Sequence, residues 1–435
     1  MHLRELAMSL RSGELTPVDH VEDVLARLAG DTTNAVVRLL ADEARREAKE
    51  RAAELAEGRW RGPLHGVAVA VKDLIDVAGA PTRCGSAVLR DAPPAGRDAP
   101  VVARLREAGA VIVAKTHTHE FAYGPTGDVA AEGPARNPHD PSRITGGSSS
   151  GSAAAVAAGH VALALGTDTG CSVRTPAALC GVVGFKPTIG RLDTTGVFPL
   201  SETCDHVGLL AADRHGVSTA YDVLVRADGT GGGIQQPGVE GVVVGLPTDD
   251  YWRTHDPVIA DAVRDAAERL RRAGAQVTDV DLPGIDELAA CYRPIVGAEA
   301  YATHRHWLAE RPHDYQPITA ERLLAGADQP AVEYVDAQRA RRRLTAALRQ
   351  HLRDREVHVL LTPTTPIRAT PIGALEVDGV QVRPALLSLT LPFNLTGWPA
   401  VSVPVPPSDG GLPVGVQLVG VRLEERGVLR VAGAL

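Results

Sequence analysis

Nothing in the chain offers a disulfide framework. Five cysteines, Cys84, Cys171, Cys180, Cys204 and Cys291, are scattered through 435 residues with no CxxC pair. That usage is too sparse and irregular for cross-links or a thiolate metal site, and a reducing cytoplasm is the simpler expectation. No basic tract is present either. The formal net charge is -8 with lysines and arginines dispersed, which argues against a nucleic-acid partner. Arg339, Arg341, Arg342 and Arg343 read as the solvated face of a helix. The N-terminus, MHLRELAMSLRSGELTPVDHVEDVLARL, is charged and amphipathic and lacks an apolar signal-peptide core. The longest apolar stretch, Ser152 to Leu165, holds Gly159 and His160 and is too short to span a bilayer. No repeat or disordered tract is visible. No Lys-Ser or Lys-Thr closes a glycine loop, so the Walker pattern fails.

What remains is a composition ordinary for a folded soluble protein, 44% hydrophobic and 23% charged. Length alone would allow two or three domains, but one α/β domain with a long sheet also reaches this size. The first sixty residues read as helices: Leu3, Leu6 and Leu10 fit a period near 3.6, Thr16-Pro17 opens a second helix, and 41–57 is rich in Ala, Glu and Arg. From Pro63 the pattern changes. His65 to Val71 is a strand-like run ending at Lys72-Asp73, 101–108 reads as a helix and 110–114 as the next strand. This alternation points to an α/β core. The segment 136–147 is a loop by its Pro, Asn, Asp and Gly, followed by a small-residue helix (152–158) and a strand (161–165). Residues near 225–340 look like a helical insertion over the core, and strands return at 357–361, 400–405 and 414–419. The sequence is expected to stop inside its last helix.

Two small-residue loops stand out, Gly146-Gly147-Ser148-Ser149-Ser150-Gly151-Ser152 and Gly166-Thr167-Asp168-Thr169-Gly170-Cys171-Ser172. A third element is Lys72, where an apolar strand runs into a charge. A hydroxyl is a poor nucleophile until a base takes its proton. A lysine serves as that base only when burial keeps it neutral near pH 7. Glycines beside a serine let the backbone approach a substrate and aim N–H groups at a developing oxyanion.

Together with GPLHGVAVAVKDLIDVAG, ITGGSSSGSAAAVAAG, LALGTDTGCSVRTPAALCGVVGFKPTIGRL, PFNLTGWPAVSVPV and GLPVGVQLVG, these loops resemble the amidase signature family over most of the chain. The resemblance implies a single α/β domain over 1–435: a large mixed central β-sheet flanked by helices on both faces, a helical N-terminal segment (1–60) and a helical insertion (225–340) near the active site. It implies an amide hydrolase working through an acyl-enzyme, with Lys72 as base, Ser148 as relay in a cis peptide and Ser172 as nucleophile. The N–H groups of Thr169, Gly170, Cys171 and Ser172 would form the oxyanion hole, and Asp168 and Arg174 would pair to hold the loop. It implies no cofactor, a small-molecule amide as partner and, as is common in the family, a possible homodimer. One departure is Cys171, where the family usually has glycine. A negative φ would let the backbone accept a side chain there, whereas a positive φ would distort the oxyanion hole.

Other readings compete. Ser149 sits in a G-x-S-x-G pattern, but the elbow of an α/β-hydrolase needs a strand directly before it and a proline-broken loop precedes this one. His117-Thr118-His119 resembles the H-x-H start of a metal-dependent amidohydrolase, yet His139, His160, His206 and His215 show no matching placement. An amide-transferring subunit of the kind that makes Gln-tRNA usually carries Gln after the arginine that follows the nucleophile, and here Thr175-Pro176 follows Arg174. Cys84 and Cys180 read as packed thiols. Tyr292, Arg293, Tyr301, His304 and Trp307 are candidates for pocket walls, and aryl, aliphatic and carboxylated amides and esters all remain open as substrates.

Overall fold

The architecture rests on one long sheet, seen in a computed structural model that describes residues 2–225 and 238–435. Eleven strands lie in the order Val36–Leu39, Val111–Thr116, Ala68–Lys72, Leu163–Thr167, Val207–Ala211, Val183–Lys186, Ala400–Val405, Val414–Gly420, Val359–Pro363, Val243–Pro247 and Gln276–Val280. The sheet is mixed. Ala68–Lys72 runs parallel to both of its neighbours, whereas the central strands from Leu163 to Pro363 pair antiparallel. The alternation of side chains along a strand assigns the two faces. Val69 and Val71 join a core with the helices Leu3–Ser12, Pro100–Glu107, Arg214–Leu224, Pro257–Arg272 and Glu425–Ala432. Ala68 and Ala70 join another, beneath the helices Pro17–Ala29, Ala41–Ala56, Ser150–Ala157 and Arg174–Cys180. Helices therefore cover both faces, and the sheet is buried throughout its middle.

The N-terminal segment holds three helices as expected, but Val36–Leu39 between the last two is an edge strand. Four residues, three half-buried and Arg38 exposed, carry too short an alternation to betray it. The loop 136–147 contains a short hairpin, Arg136–Asn137 with Asp140–Ile144. The reading of 225–340 as a helical insertion needs a larger correction. Residues 226–237 lie outside the described residues, yet Val243–Pro247 and Gln276–Val280 are parallel strands at the far edge of the sheet, joined by the helix Pro257–Arg272. The helix dominated the local pattern and masked two five-residue strands, one carrying exposed Gln276 and Asp279. The helical layer proper is Ile285–Ala290, Tyr292–Glu310, Pro317–Leu324 and Ala331–Asp354.

Arg341 does not share the solvated face expected for its neighbours. It donates from Nε to the Leu395 carbonyl at 2.6 Å and from Nη2 to the Thr203 carbonyl at 2.9 Å. The helix thereby ties two loops together, while Arg339 and Arg343 pair outside with Asp336 and Glu287. All five cysteines are buried free thiols. Among the described residues no helix is long and apolar enough to cross a membrane.

Candidate active site

Two parallel strands deliver the first site residues to one end of the sheet, where ligand sites of α/β proteins commonly lie. Lys72 ends the strand Ala68–Lys72 and Thr167 ends its neighbour Leu163–Thr167, with Val71 paired to Leu165. Lys72 Nζ contacts Ser148 Oγ at 2.6 Å and Thr167 Oγ1 at 2.7 Å, and the side chain is fully buried. Burial pushes the Lys72 ammonium down to about 7, against the charges of Asp168 and Asp205, which favour its protonated form.

Ser148 follows a cis Gly147–Ser148 peptide bond and precedes the helix Ser150–Ala157. The backbone packs tightly there, since a Cβ on Gly147 would stand 2.8 Å from the amide nitrogen of Gly127. The next three serines serve the scaffold. Ser149 Oγ donates to the Thr167 carbonyl at 3.1 Å, and its own N–H donates to the Ser172 carbonyl at 3.1 Å. Ser150 Oγ meets His117 Nδ1 at 2.7 Å, and Ser152 Oγ donates to the Leu165 carbonyl at 2.8 Å. Ser149 thus splices the two loops together and does not line the cavity, which removes the elbow reading.

Ser172 lies on the wall of a cavity of about 490 Å³, with Thr169, Cys171, Tyr123, Tyr292 and Leu387 around it. Its residue is 4% exposed, against 0% for Lys72 and Ser148, so the nucleophile candidate alone of the three reaches the pocket. Among the described residues no hydrogen bond joins Ser148 Oγ to Ser172 Oγ; Ser172 Oγ meets the Cys171 thiol at 3.9 Å. The loop N–H groups divide sharply. Those of Val173 and Arg174 are tied to Asp168 Oδ2 at 3.0 and 3.3 Å. Those of Thr169, Gly170, Cys171 and Ser172 have no acceptor among the described residues. Four unpaired donors beside a hydroxyl on a cavity wall are the ingredients of an oxyanion hole.

Cys171 is absent from the residues with positive φ, so the backbone accepts its side chain. Its Sγ points back to the Gly147 carbonyl at 3.6 Å, and burial pushes the thiol up to about 12, so it stays protonated. Gly170 is required for a different reason. A Cβ there would stand 2.5 Å from Tyr292 Oη, so only glycine lets that phenol close over the loop.

Asp168 and Arg174 pair in complete burial, Nε to Oδ2 at 3.0 Å and Nη2 to Oδ1 at 2.8 Å. Arg174 also reaches Gln417 Oε1 at 2.6 Å and the Thr390 carbonyl at 2.9 Å, and Asn394 Nδ2 donates to Asp168 Oδ1 at 2.9 Å. Burial works to raise the Asp168 carboxyl, but Arg174, with Lys186 and Asn394, holds it well below the usual carboxylate range. A second carboxylate sits on the loop's other side. Asp205 Oδ1 accepts from Thr169 Oγ1 at 2.6 Å, and burial raises its carboxyl to about 6.

Several of these residues were not singled out from sequence. Thr167 lies inside the quoted motif and could have been flagged as a second hydroxyl at a strand end. Asn394 and Gln417 likewise lie inside quoted motifs, PFNLTGWPAVSVPV and GLPVGVQLVG, but their role exists only once distant segments meet, and Asp205 carries no local signal. Of the proposed pocket walls, Tyr292 and Arg293 line the cavity, but Tyr301, His304 and Trp307 do not. The helix Tyr292–Glu310 faces the cavity with its first two turns and then runs past it. His304 packs edge-on against Phe121 at 4.4 Å between centroids, and Trp307 stacks on Phe198.

The histidines of the metal reading are structural posts. His117 Nε2 bonds to the Gly133 carbonyl at 2.8 Å, so both its ring nitrogens are committed, and His119 Nδ1 accepts from the Gly127 N–H at 3.2 Å. Burial lowers His117 to about 4 and His119 well below its ordinary value. His139, His160 and His206 bond elsewhere, to the Cys180 carbonyl, Asp31 and the Cys204 carbonyl. Among the described residues no three His, Cys, Asp or Glu side chains converge as a metal-binding group.

Comparison with known proteins fits this site. The family model described as Amidase matches residues 19–429. The chain is 37% identical over 449 residues to AtzE, the 1-carboxybiuret hydrolase component of Pseudomonas sp. (strain ADP), covering 99% of this chain and 97% of that protein. It is 36% identical over 459 residues to a glutamyl-tRNA(Gln) amidotransferase chain of Symbiobacterium thermophilum, covering 97% and 93%. A solved structure described as a crystal structure of amidase superposes with a TM-score of 0.91 at 39% identity, covering 100% of this chain and 99% of that one.

Proposed function

The chain belongs to the amidase family, and from that membership we propose that its amide hydrolysis runs through Ser172 as nucleophile, Ser148 as proton relay and Lys72 as general base. The enzyme hydrolyses carbon–nitrogen amide bonds; the assignment of roles within the site is the proposal. The observation that carries it is the Lys72–Ser148 contact of 2.6 Å in full burial, beside a Ser172 that faces the cavity.

In the proposed sequence, neutral Lys72 draws a proton through Ser148 as Ser172 Oγ attacks the amide carbonyl carbon. Ser172 Oγ turns from its place beside Cys171 toward Ser148 when substrate arrives, a tightening that resting sites commonly need. The carbonyl oxygen becomes an oxyanion against the N–H groups of Thr169 to Ser172. The proton returns along the relay to the departing nitrogen, the C–N bond breaks, and ammonia or an amine leaves. Water, deprotonated by the same relay, then cleaves the ester on Ser172 and releases the carboxylic acid. Asp168 and Arg174 hold the loop and do not touch the substrate in this scheme. The five free thiols support a reducing, cytoplasmic setting.

A second reading, an amide-transferring subunit, draws on the similarity to the glutamyl-tRNA(Gln) amidotransferase. Thr175 stands where amide-transferring subunits usually carry glutamine, and its hydroxyl donates to the buried Leu386 carbonyl at 3.0 Å. Free-standing hydrolysis is therefore the reading we adopt.

Mass spectrometry of the intact protein after a fluorophosphonate tests the assignment. A single adduct mapping to Ser172, lost in Ser172→Ala and indifferent to EDTA, is expected, together with hydrolysis of simple amides by the chain alone. An adduct that persists in Ser172→Ala would sink it, and hydrolysis abolished by EDTA would return the metal reading.

A further inference from the structure

The cavity beside Ser172 carries three guanidinium groups and no carboxylate. Arg293 projects from the helix Tyr292–Glu310, Arg322 from Pro317–Leu324 and Arg383 from Val382–Ser388. Arginines on the neighbouring helix Ala331–Asp354 find acids, as Arg339 does with Asp336 and Arg343 with Glu287. The cavity arginines do not: among the described residues, no carboxylate oxygen lies within 4.0 Å of any of the three. Arg322 is nevertheless held in place. Its Nη1 donates to the Tyr123 carbonyl at 2.7 Å, and its guanidinium sits 5.9 Å over the Tyr123 ring. Arg383 Nη1 is buried and has no hydrogen-bond partner among the described residues.

This arrangement is unfavourable when the cavity holds only water. Two half-buried cations share one cavity wall: burial lowers both guanidinium pKa values, and the charge of Arg383 lowers Arg322 further. The acid whose field reaches Arg383 is Asp128, which is not part of the cavity wall and is engaged by the Gly373 N–H at 2.9 Å. The charge of Glu321 reaches Arg322 in the same way, but like charges brought together with no counter-ion in contact cost energy that an incoming anion recovers. A guanidinium offers its donors as a planar fork that matches a carboxylate. Beside the polar groups of Thr169, Ser172, Tyr292 and Gln329, the wall has an apolar part, including Ala122, Leu200, Val296 and Leu387, that accommodates a short carbon chain.

We propose that the substrate is an amide that also bears an ionised carboxylate, gripped by Arg383 and Arg322 with Arg293 at the exposed rim, while the amide lies against Ser172. This rests on the Ser172 assignment for the amide end only; the anion end stands on the three unpaired arginines. Arg383 and Arg322 then set specificity, selecting mono-amides of dicarboxylic acids over the matching diamides, which have the same shape without the charge.

Calorimetric titration of the full chain carrying Ser172→Ala separates the two ends. The probes are mono-amides of dicarboxylic acids of three to six carbons, from malonamate upward, each paired with its diamide. At least one mono-amide is expected to bind roughly 30-fold more tightly than its diamide, as charge-assisted hydrogen bonds to half-buried arginines allow. Arg383→Gln and Arg322→Gln should each cut that ratio at least tenfold, with Arg383→Lys retaining part of it. Equal binding of acid and diamide, an unchanged ratio in the variants, no binding by any mono-amide, or displacement by sulfate as effective as by the acids would each overturn the proposal. If a variant fails to fold, the acid-to-diamide ratio of the Ser172→Ala chain decides alone. A fluorophosphonate adduct on Ser172 without acid preference leaves the catalytic assignment standing and removes the carboxylate; acid preference without an adduct does the reverse.

Discussion

Lys72 Nζ lies 2.6 Å from Ser148 Oγ, and its second partner is another hydroxyl, that of Thr167. One strand away, Lys115 is equally buried but meets the carboxylate of Asp73 at 2.8 Å. The contrast is the physical basis of the site. An adjacent carboxylate stabilises an ammonium, whereas hydroxyls in a dry setting leave the neutral amine accessible near neutral pH.

The pH dependence of kcat/KM should follow Lys72. A base must be unprotonated, and burial brings this ammonium to about 7, so activity is expected to rise with pH through that value and level off above it. Steady-state kinetics on a neutral amide over roughly pH 5.5 to 8.5 checks it; a flat profile would remove Lys72 as the base.

Lys72 should also burden stability. Its folded pKa is lowered from 10.5 to about 7, so between those values the unfolded chain holds a proton that the folded chain does not. Folding therefore becomes more favourable as pH rises through this window, and the burden is largest at its lower end. Lys72→Met is expected to stabilise the fold by about 1–3 kcal/mol at neutral pH while losing turnover. Denaturant unfolding at pH 7 and near the upper end of the window should show the gain shrinking; no gain at pH 7 would count against the burial argument.

Arg174→Met should be severe in a different way. It leaves the Asp168 carboxylate without its partner in full burial, a change that costs about 3–5 kcal/mol. The same change combined with Asp168→Leu should recover part of the loss. Urea denaturation of both chains decides, and a single-variant loss below about 1 kcal/mol would mean that the pair is not the brace of the loop.

Cys171→Gly tests the family departure. The thiol stands on the cavity wall beside Ser172, at a φ that does not require glycine. Its removal should shift preference toward bulkier acyl groups by several-fold in kcat/KM and lower stability by about 0.5–1 kcal/mol through backbone entropy. Competition between a branched and an unbranched amide reads out the first effect. An unchanged ratio would show that the side chain does not border the acyl pocket.

The candidate catalytic residues stand out in the sequence because each lies in a contiguous stretch: Lys72 at the end of an apolar strand, Ser148 and Ser172 in glycine loops whose neighbours form a recognisable set. The main strands around them were legible for the same reason, since Ala68–Lys72, Val111–Thr116 and Leu163–Thr167 are continuous apolar runs of fully buried parallel structure. Short strands at the sheet edges were not. Val36–Leu39 and Gln276–Val280 are partly exposed, so their pattern is weak and their assignment depends on pairing with a neighbour.

Residue identity and order along the chain were enough to establish the family, the nucleophile candidate and the absence of any framework of disulfides, because those are properties of local sequence. The state of Lys72, the unpaired N–H groups of Thr169 to Ser172 and the meeting of Arg293, Arg322 and Arg383 beside Ser172 were decided only in the folded chain. Burial and charge proximity are sums over groups far apart in sequence, and no window of residues contains them.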